Sequence, residues 1–294
     1  MCAEWILLVK TASEISLKSE HVMRFFMRKL AENIKTALKN SGAEYGRIEM
    51  GRGRLFLFAP LQDLQKIAEV LPKIFGLHAF ALAEIYENAE MGNIKNAAVE
   101  YAKPLLCNAE SFALRVSRSG AHKFSSHDVA VQCGAAIQSA IPNLRVDLKN
   151  PEKEIFIEII NKKFYLYDAE QACSGGLPLG VEGAVAALFS GNENDALAAW
   201  LVMKRGCRIF PIAEKESAKI KGAVNSLIPW NSLREFKISR ENELKGLVAE
   251  YNLQAVVSAD ESPKEASIAE LPALYPLAFF PKQMRKEFEK LIGA

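Results

Sequence analysis

Residues 184–206, "AVAALFSGNENDALAAWLVMKRG", pass from an apolar strand through a turn of small and polar residues straight into a helix. A strand apolar at every position is stable only where both of its faces are covered. A helix following it at once predicts a parallel sheet with helices packed on its sides. At such a bend, backbone N–H groups and a helix N-terminus converge, which makes it a natural place for a phosphate. Ser190 and Gly191 suit that use. Glu193 and Asp195 put carboxylates where the phosphate would lie.

The rest of 171–294 continues the alternation. Residues 195–205 read as the helix, closed by Gly206. "CRIFPIA" (207–213), "EFKIS" (235–239) and "QAVVSAD" (254–260) read as strands, and "NELKGLVAEYN" (242–252) as a helix. "SGGLPLGVEG" (174–183) reads as a linker leading into this domain. A chain of 294 residues exceeds one ordinary core, so two or three domains are expected.

The first 77 residues predict strand, helix, hairpin, helix, with a strand returning at 78–87. In 19–39, Val22, Phe26, Leu30, Ile34 and Leu38 recur every fourth residue and define one apolar helical face. "GRIEM" and "RLFLF" flank Gly51-Arg52-Gly53 as a β-hairpin. With "WILLVKT" (5–11), "LQDLQKIAEVL" (61–71) and "HAFALAEIYE" (78–87), the order is βαββαβ, a ferredoxin-like pattern. Residues 78–170 form a second α/β unit. It has a helix in 94–106 cut by Pro104, a strand at 111–119, a helix at 125–140 opened by Ser125 or Ser126, and a hairpin at 154–170.

Net charge is only +2, but it is unevenly spread. "SFALRVSRSGAHKFSSH" (111–127) holds Arg115, Arg118 and Lys123 without an acid, a local basic patch of the kind that meets nucleic acid. The five cysteines form no close pair, and His122 and His127, five apart, do not share a helical face. Neither a disulfide framework nor a metal site is indicated. No apolar run approaches a bilayer span and no leader pattern opens the chain, so a cytoplasmic protein without a membrane partner is expected.

Several ordered stretches resemble the thiamine-biosynthesis and tRNA 4-thiouridine synthase family of sulfurtransferases. "SEISLKS" (13–19) is similar to that family's GEIxLKG, and "FALRVSRSGAHKFSSHDVAVQCGAAI" (112–137) resembles its THUMP segment. "VDLKNPEKEIFIEI" (146–159), "SGGLPLGVEG" and "LFSGNENDALAAWLVMKRG" match three further motifs in order. The resemblance implies a ferredoxin-like domain (1–77), a THUMP RNA-binding domain (78–170) and a Rossmann-like, parallel-sheet PP-loop ATP-pyrophosphatase domain (171–294). It implies ATP with magnesium as cofactor and tRNA as partner. A sulfur-carrier or catalytic partner protein and a homodimer are further expectations.

The departures fall on the chemistry. The family's PP-loop reads Ser-Gly-Gly-x-Asp-Ser; here Asn192 replaces the second glycine, Asn194 the aspartate and Asp195 the serine. A carboxylate about 4 Å from a phosphate oxygen costs roughly 4 kcal/mol at a near-surface dielectric. Ser190, Gly191, Asn192, Asn194, Asp195 and Ser258 are thus expected to be the remnant of a nucleotide site. The relay cysteine that the resemblance implies is expected to be lost as well: in this sequence no cysteine follows Cys207, and Cys173 and Cys207 are the thiols of the domain. Lys18, Arg52, Arg54, Arg115, Arg118, Lys123 and Phe124 are the expected RNA contacts. Arg115 and Arg118, three apart on a strand, point to opposite faces, so one is expected to be structural. The expected function is tRNA binding with an impaired pyrophosphatase domain. The rivals are a working enzyme that adenylates a tRNA uridine and a structural subunit without RNA.

Overall fold

Alternating and fourth-residue apolar spacing set the first elements. The computed structural model describes residues 4–51, 53–262, 267–268 and 270–292. Strand β1 (Glu4–Thr11) leads through the one-turn α1 (Ser13–Ser16) into α2 (Glu20–Ser41). Phe26, Leu30, Ile34 and Leu38 are buried along α2, as their spacing requires. The hairpin β2 (Arg47–Gly51) and β3 (Arg54–Phe58), then α3 (Leu64–Val70) and β4 (Leu77–Glu87), complete the βαββαβ order. Arg52 lies outside the described residues.

Next come α4 (Met91–Leu106), β5 (Ser111–Ser119), α5 (Ser126–Ala140), β6 (Arg145–Val146), β7 (Lys153–Ile160), β8 (Lys163–Tyr167) and β9 (Gln171–Ala172). The expected break at Pro104 does not occur. The proline sits in the last turn, where it removes a single N–H, while Ala102 and Leu106 anchor that turn in the core. Ser125 is the cap of α5: its Oγ accepts the Asp128 N–H at 3.1 Å and the Asp128 carboxylate accepts the Ser125 N–H at 2.8 Å.

The last part holds β10 (Ala184–Leu188), α6 (Asp195–Lys204), β11 (Arg208–Ala213), α7 (Ala218–Asn225) and β12 (Ser239–Arg240). It ends with α8 (Leu244–Tyr251), β13 (Val256–Val257), β14 (Ser267–Ile268), β15 (Leu271–Leu274) and α9 (Lys282–Ile292). The strand expected at 235–239 shrinks to β12, because Phe236 and Ile238 turn into the core instead of extending the ladder. Likewise only Val256 and Val257 of 254–260 pair as a strand.

Chain contacts separate two compact units. The first comprises the described parts of 1–8, 56–58 and 80–171. Its sheet runs β3-β1-β4-β8-β7-β5-β6, with β5 parallel to β7 from Phe112↔Lys153 to Ser119↔Ile160. Ile94 and Ala98 of α4 and Val129, Cys133 and Ile137 of α5 pack with Phe112, Ile155, Ile157 and Leu166.

The second unit comprises the described parts of 9–55, 59–79 and 172–294. Its sheet runs β12-β11-β10-β13-β15-β14, parallel except for β14. Helix α6 is buried almost all round, and its Trp200 meets Phe75, Trp230 and Phe288 at centroid separations of 5.3–5.5 Å. The 174–183 stretch is no slack linker. Gly76 N–H donates to the Gly175 carbonyl, Leu177 N–H to that of Lys204, and Gly180 N–H to that of Gly206, while Leu177 and Leu179 are buried.

Gly176 makes the closest approach in that strap. At φ +78°, a Cβ there would stand 2.3 Å from the Lys204 carbonyl oxygen, whereas Gly175, at φ +67°, has open space around it. Gly175→Ala should therefore cost only the left-handed backbone penalty of about 1–2 kcal/mol. Gly176→Ala should cost clearly more, seen as a larger drop in the urea midpoint; equal midpoints would mean that the strap yields.

Candidate nucleotide loop and nucleic-acid interface

Within the second unit's sheet, β10 is flanked by β11, which follows it in the chain, and by β13, which comes after β12. Strand order reverses at β10, and the crevice at the carboxyl ends of such strands is where open α/β sheets take ligands. Both expected nucleotide elements are at that end: residues 189–194 leave β10, and Ser258 follows β13.

The loop meets its own hydrogen-bonding needs. Gly191, at φ +86°, has nothing within 4 Å of where a Cβ would project, so the backbone is open there. Its N–H, however, donates to Asp195 Oδ2 at 2.8 Å. The Asn192 side chain accepts the Asn194 N–H at 2.9 Å. Asp195 is 3% exposed, and its Oδ1 has no hydrogen-bond partner. Burial raises its carboxyl above the ordinary 3.8, against the downward pull of the N–H groups of Gly191, Asn192 and Ser190 and of the Ser190 hydroxyl. Ser258 is buried, with its hydroxyl donating to Asp260 at 3.0 Å. Ser190, Asn192 and Glu193 are exposed; Asn194 is buried. The Gly191 N–H, a donor that a phosphate at this bend would use, is thus engaged by a carboxylate.

Burial also acts on the thiols. Burial pushes Cys173 up to about 12, and burial followed by the nearby Glu182 carboxylate raises Cys207. Cys133, buried inside the first unit, is also pushed up to about 12. Each of these environments favours the protonated thiol over the thiolate.

Among the expected RNA contacts, the first unit separates the two arginines of β5. Arg115 is taken: Nε and Nη2 lie 2.8 and 2.6 Å from Glu154 Oε1, and Nη2 also reaches the Leu148 carbonyl. Arg118 is exposed; its Nη1 donates to the Gly120 carbonyl at 3.0 Å and lies 3.2 Å from His122 Nδ1. His122 Nε2 is 2.6 Å from the Asn161 carbonyl at the β7–β8 turn, and its ring lies 5.3 Å from that of Phe124. Phe124 is half-buried against the core on which α5 packs, so it supports this group. Lys123 is exposed beside it. Sequence reasoning weighs His122 only as half of a metal pair; its bond to Asn161, 39 residues on, leaves no local signal.

In the second unit, Lys18 lies over the Phe26 ring at 5.9 Å. It lines a cleft of about 730 Å³ with His21, Arg24, Arg28 and Met50. Arg54 donates to the Gly53 carbonyl.

Two family models match this architecture. Residues 6–81 match the ThiI ferredoxin-like domain and 88–168 the THUMP domain. The chain belongs to the ThiI-type tRNA sulfurtransferase family. It is 31% identical over 251 residues to a probable tRNA sulfurtransferase of Methanothermobacter thermautotrophicus, covering 81% of this chain and 62% of the relative. To that of Methanosarcina acetivorans it is 34% identical over 203 residues, covering 68% and 48%. The chain thus spans about half to three fifths of the curated relatives it matches. Among solved structures, PH1313 of Pyrococcus horikoshii superposes with a TM-score of 0.84 at 24% identity, over 99% of this chain and all of that one. A 4-thiouridine synthetase–RNA complex with bound ATP superposes at 0.75 and 19% identity, over 99% and 85%. These two likenesses establish the family's fold across the chain. No helix among the described residues is long and apolar enough to cross a membrane.

A carboxyl whose folded value is raised stabilises the fold while protonated and loses that contribution as pH climbs from its unfolded value of about 3.8 through the folded one. Asp195→Asn keeps an acceptor for Gly191 but removes the charge. The stability difference, variant minus wild type, should grow as pH rises from about 4 towards 7 in urea unfolding series. A flat difference would mean that Asp195 is not strained by burial.

Proposed function

We propose that this member of the ThiI-type family binds tRNA through its ferredoxin-like and THUMP domains, and that residues 171–294 act as a scaffold that does not turn over ATP. The observation that carries the second half is the Asp195 carboxylate seated on the Gly191 N–H, an internal anion in place of an external one. The raised Cys173 and Cys207 thiols favour the same reading. The first half rests on the THUMP match and on the exposed Arg118–Lys123 group, which meets phosphates rather than base edges. Sulfur chemistry, where it occurs, then belongs to a partner protein.

Two measurements test this. Labelled tRNA titrated at several salt concentrations should give a log–log slope of several units; weak, salt-independent binding would end the RNA reading. Thermal shift with Mg-ATP should leave the wild-type Tm unchanged, whereas replacing Asn192, Asn194 and Asp195 by Gly, Asp and Ser should restore a shift. Stabilisation of the wild type at micromolar nucleotide would overturn the scaffold reading.

A further inference from the structure

The first unit holds two arginines on one strand in opposite states, and the difference lies in which guanidinium edge is used. A guanidinium carries five N–H groups and no acceptor. In Arg115 the Nε–Nη2 edge, the edge that clasps an oxyanion in two parallel bonds, is occupied by Glu154 and the Leu148 carbonyl. In Arg118 the occupied nitrogen is Nη1, whose two hydrogens go to the Gly120 carbonyl and to His122 Nδ1. Nε and Nη2 of Arg118 have no partner among the described residues.

His122 makes this possible. Arg118 can only donate, so Nδ1 must present its lone pair, and Nε2, facing the Asn161 carbonyl, must carry the proton. That neutral tautomer is fixed by its two neighbours. Phe124 backs the ring, and the Asn161 N–H donates to the Ser119 carbonyl, tying the β7–β8 turn to the end of β5.

We infer that His122 is a positioning residue that holds the Arg118 guanidinium by Nη1, so that its free Nε–Nη2 edge clasps one phosphodiester group of the bound RNA, and that Arg115 is structural. Holding the guanidinium in advance removes the rotamer cost of ordering a long side chain at the moment of binding. The inference rests on the tRNA-binding reading above and names the residue that does the binding.

The test is a set of full-chain variants titrated with labelled tRNA against salt. Arg118→Gln should weaken binding about ten- to hundredfold and lower the salt slope by about one unit. Arg118→Lys keeps the charge without the fork and should recover little of the affinity. Arg115→Met should lower Tm and leave both affinity and slope unchanged. His122→Ala should weaken binding in the wild-type background and have no further effect in Arg118→Gln, whereas His122→Asn, which retains an acceptor near the Nδ1 position, should recover part of the loss. Equal losses from His122→Ala in both backgrounds, full rescue by Arg118→Lys, or a slope change from Arg115→Met would overturn the inference while leaving tRNA binding intact. A wild-type chain that fails to bind tRNA would instead overturn the reading beneath it.

Discussion

A single hydrogen bond, from the Gly191 N–H to the Asp195 carboxylate, organises the loop at the carboxyl end of the second unit's sheet. Helix α6 is buried almost throughout, and the loop at its N-terminus gives the Gly191 N–H an acceptor close by. An aspartate at the first helical position provides one and also complements the helix dipole. The Gly191 donor is thereby engaged within the loop itself. The cost is a carboxylate with one orphaned oxygen in the interior.

Packing holds helix α6 along its length and at its C-terminal end. Trp200 of α6 sits among Phe75, Trp230 and Phe288, and the glycine strap is hydrogen-bonded to the end of α6 at Lys204 and Gly206. In the first unit the same economy of donors works the other way: Arg115 is consumed by Glu154, and Arg118 is held with one edge spare. Whether a donor is left over, rather than the charge itself, separates the structural arginine from the available one.

Much of this was legible in the sequence where the signal is local. The fourth-residue spacing of Phe26 to Leu38 placed α2, the Ser125 cap placed α5, and the alternation of 111–119 placed β5 to the residue. Asp195, which stands where the resemblance expects a serine, is the residue that takes the Gly191 N–H. What escaped depends on distant partners. Nothing near Arg115 announces Glu154, and nothing near His122 announces Asn161. Residues 235–239 look like a strand, but their apolar side chains are claimed by the core. Helix α9 carried a usable signal in Met284, Phe288 and Ile292, four apart, although it is diluted by five lysines, arginines and glutamates between Arg285 and Lys290.

The most direct check is a crystal structure of the chain with a non-hydrolysable ATP analogue and magnesium at saturating concentration. The account predicts the Asp195 carboxylate still on the Gly191 N–H and no triphosphate at the 189–194 loop. A triphosphate held by the Gly191 and Asn192 N–H groups, with Asp195 rotated away, would contradict it.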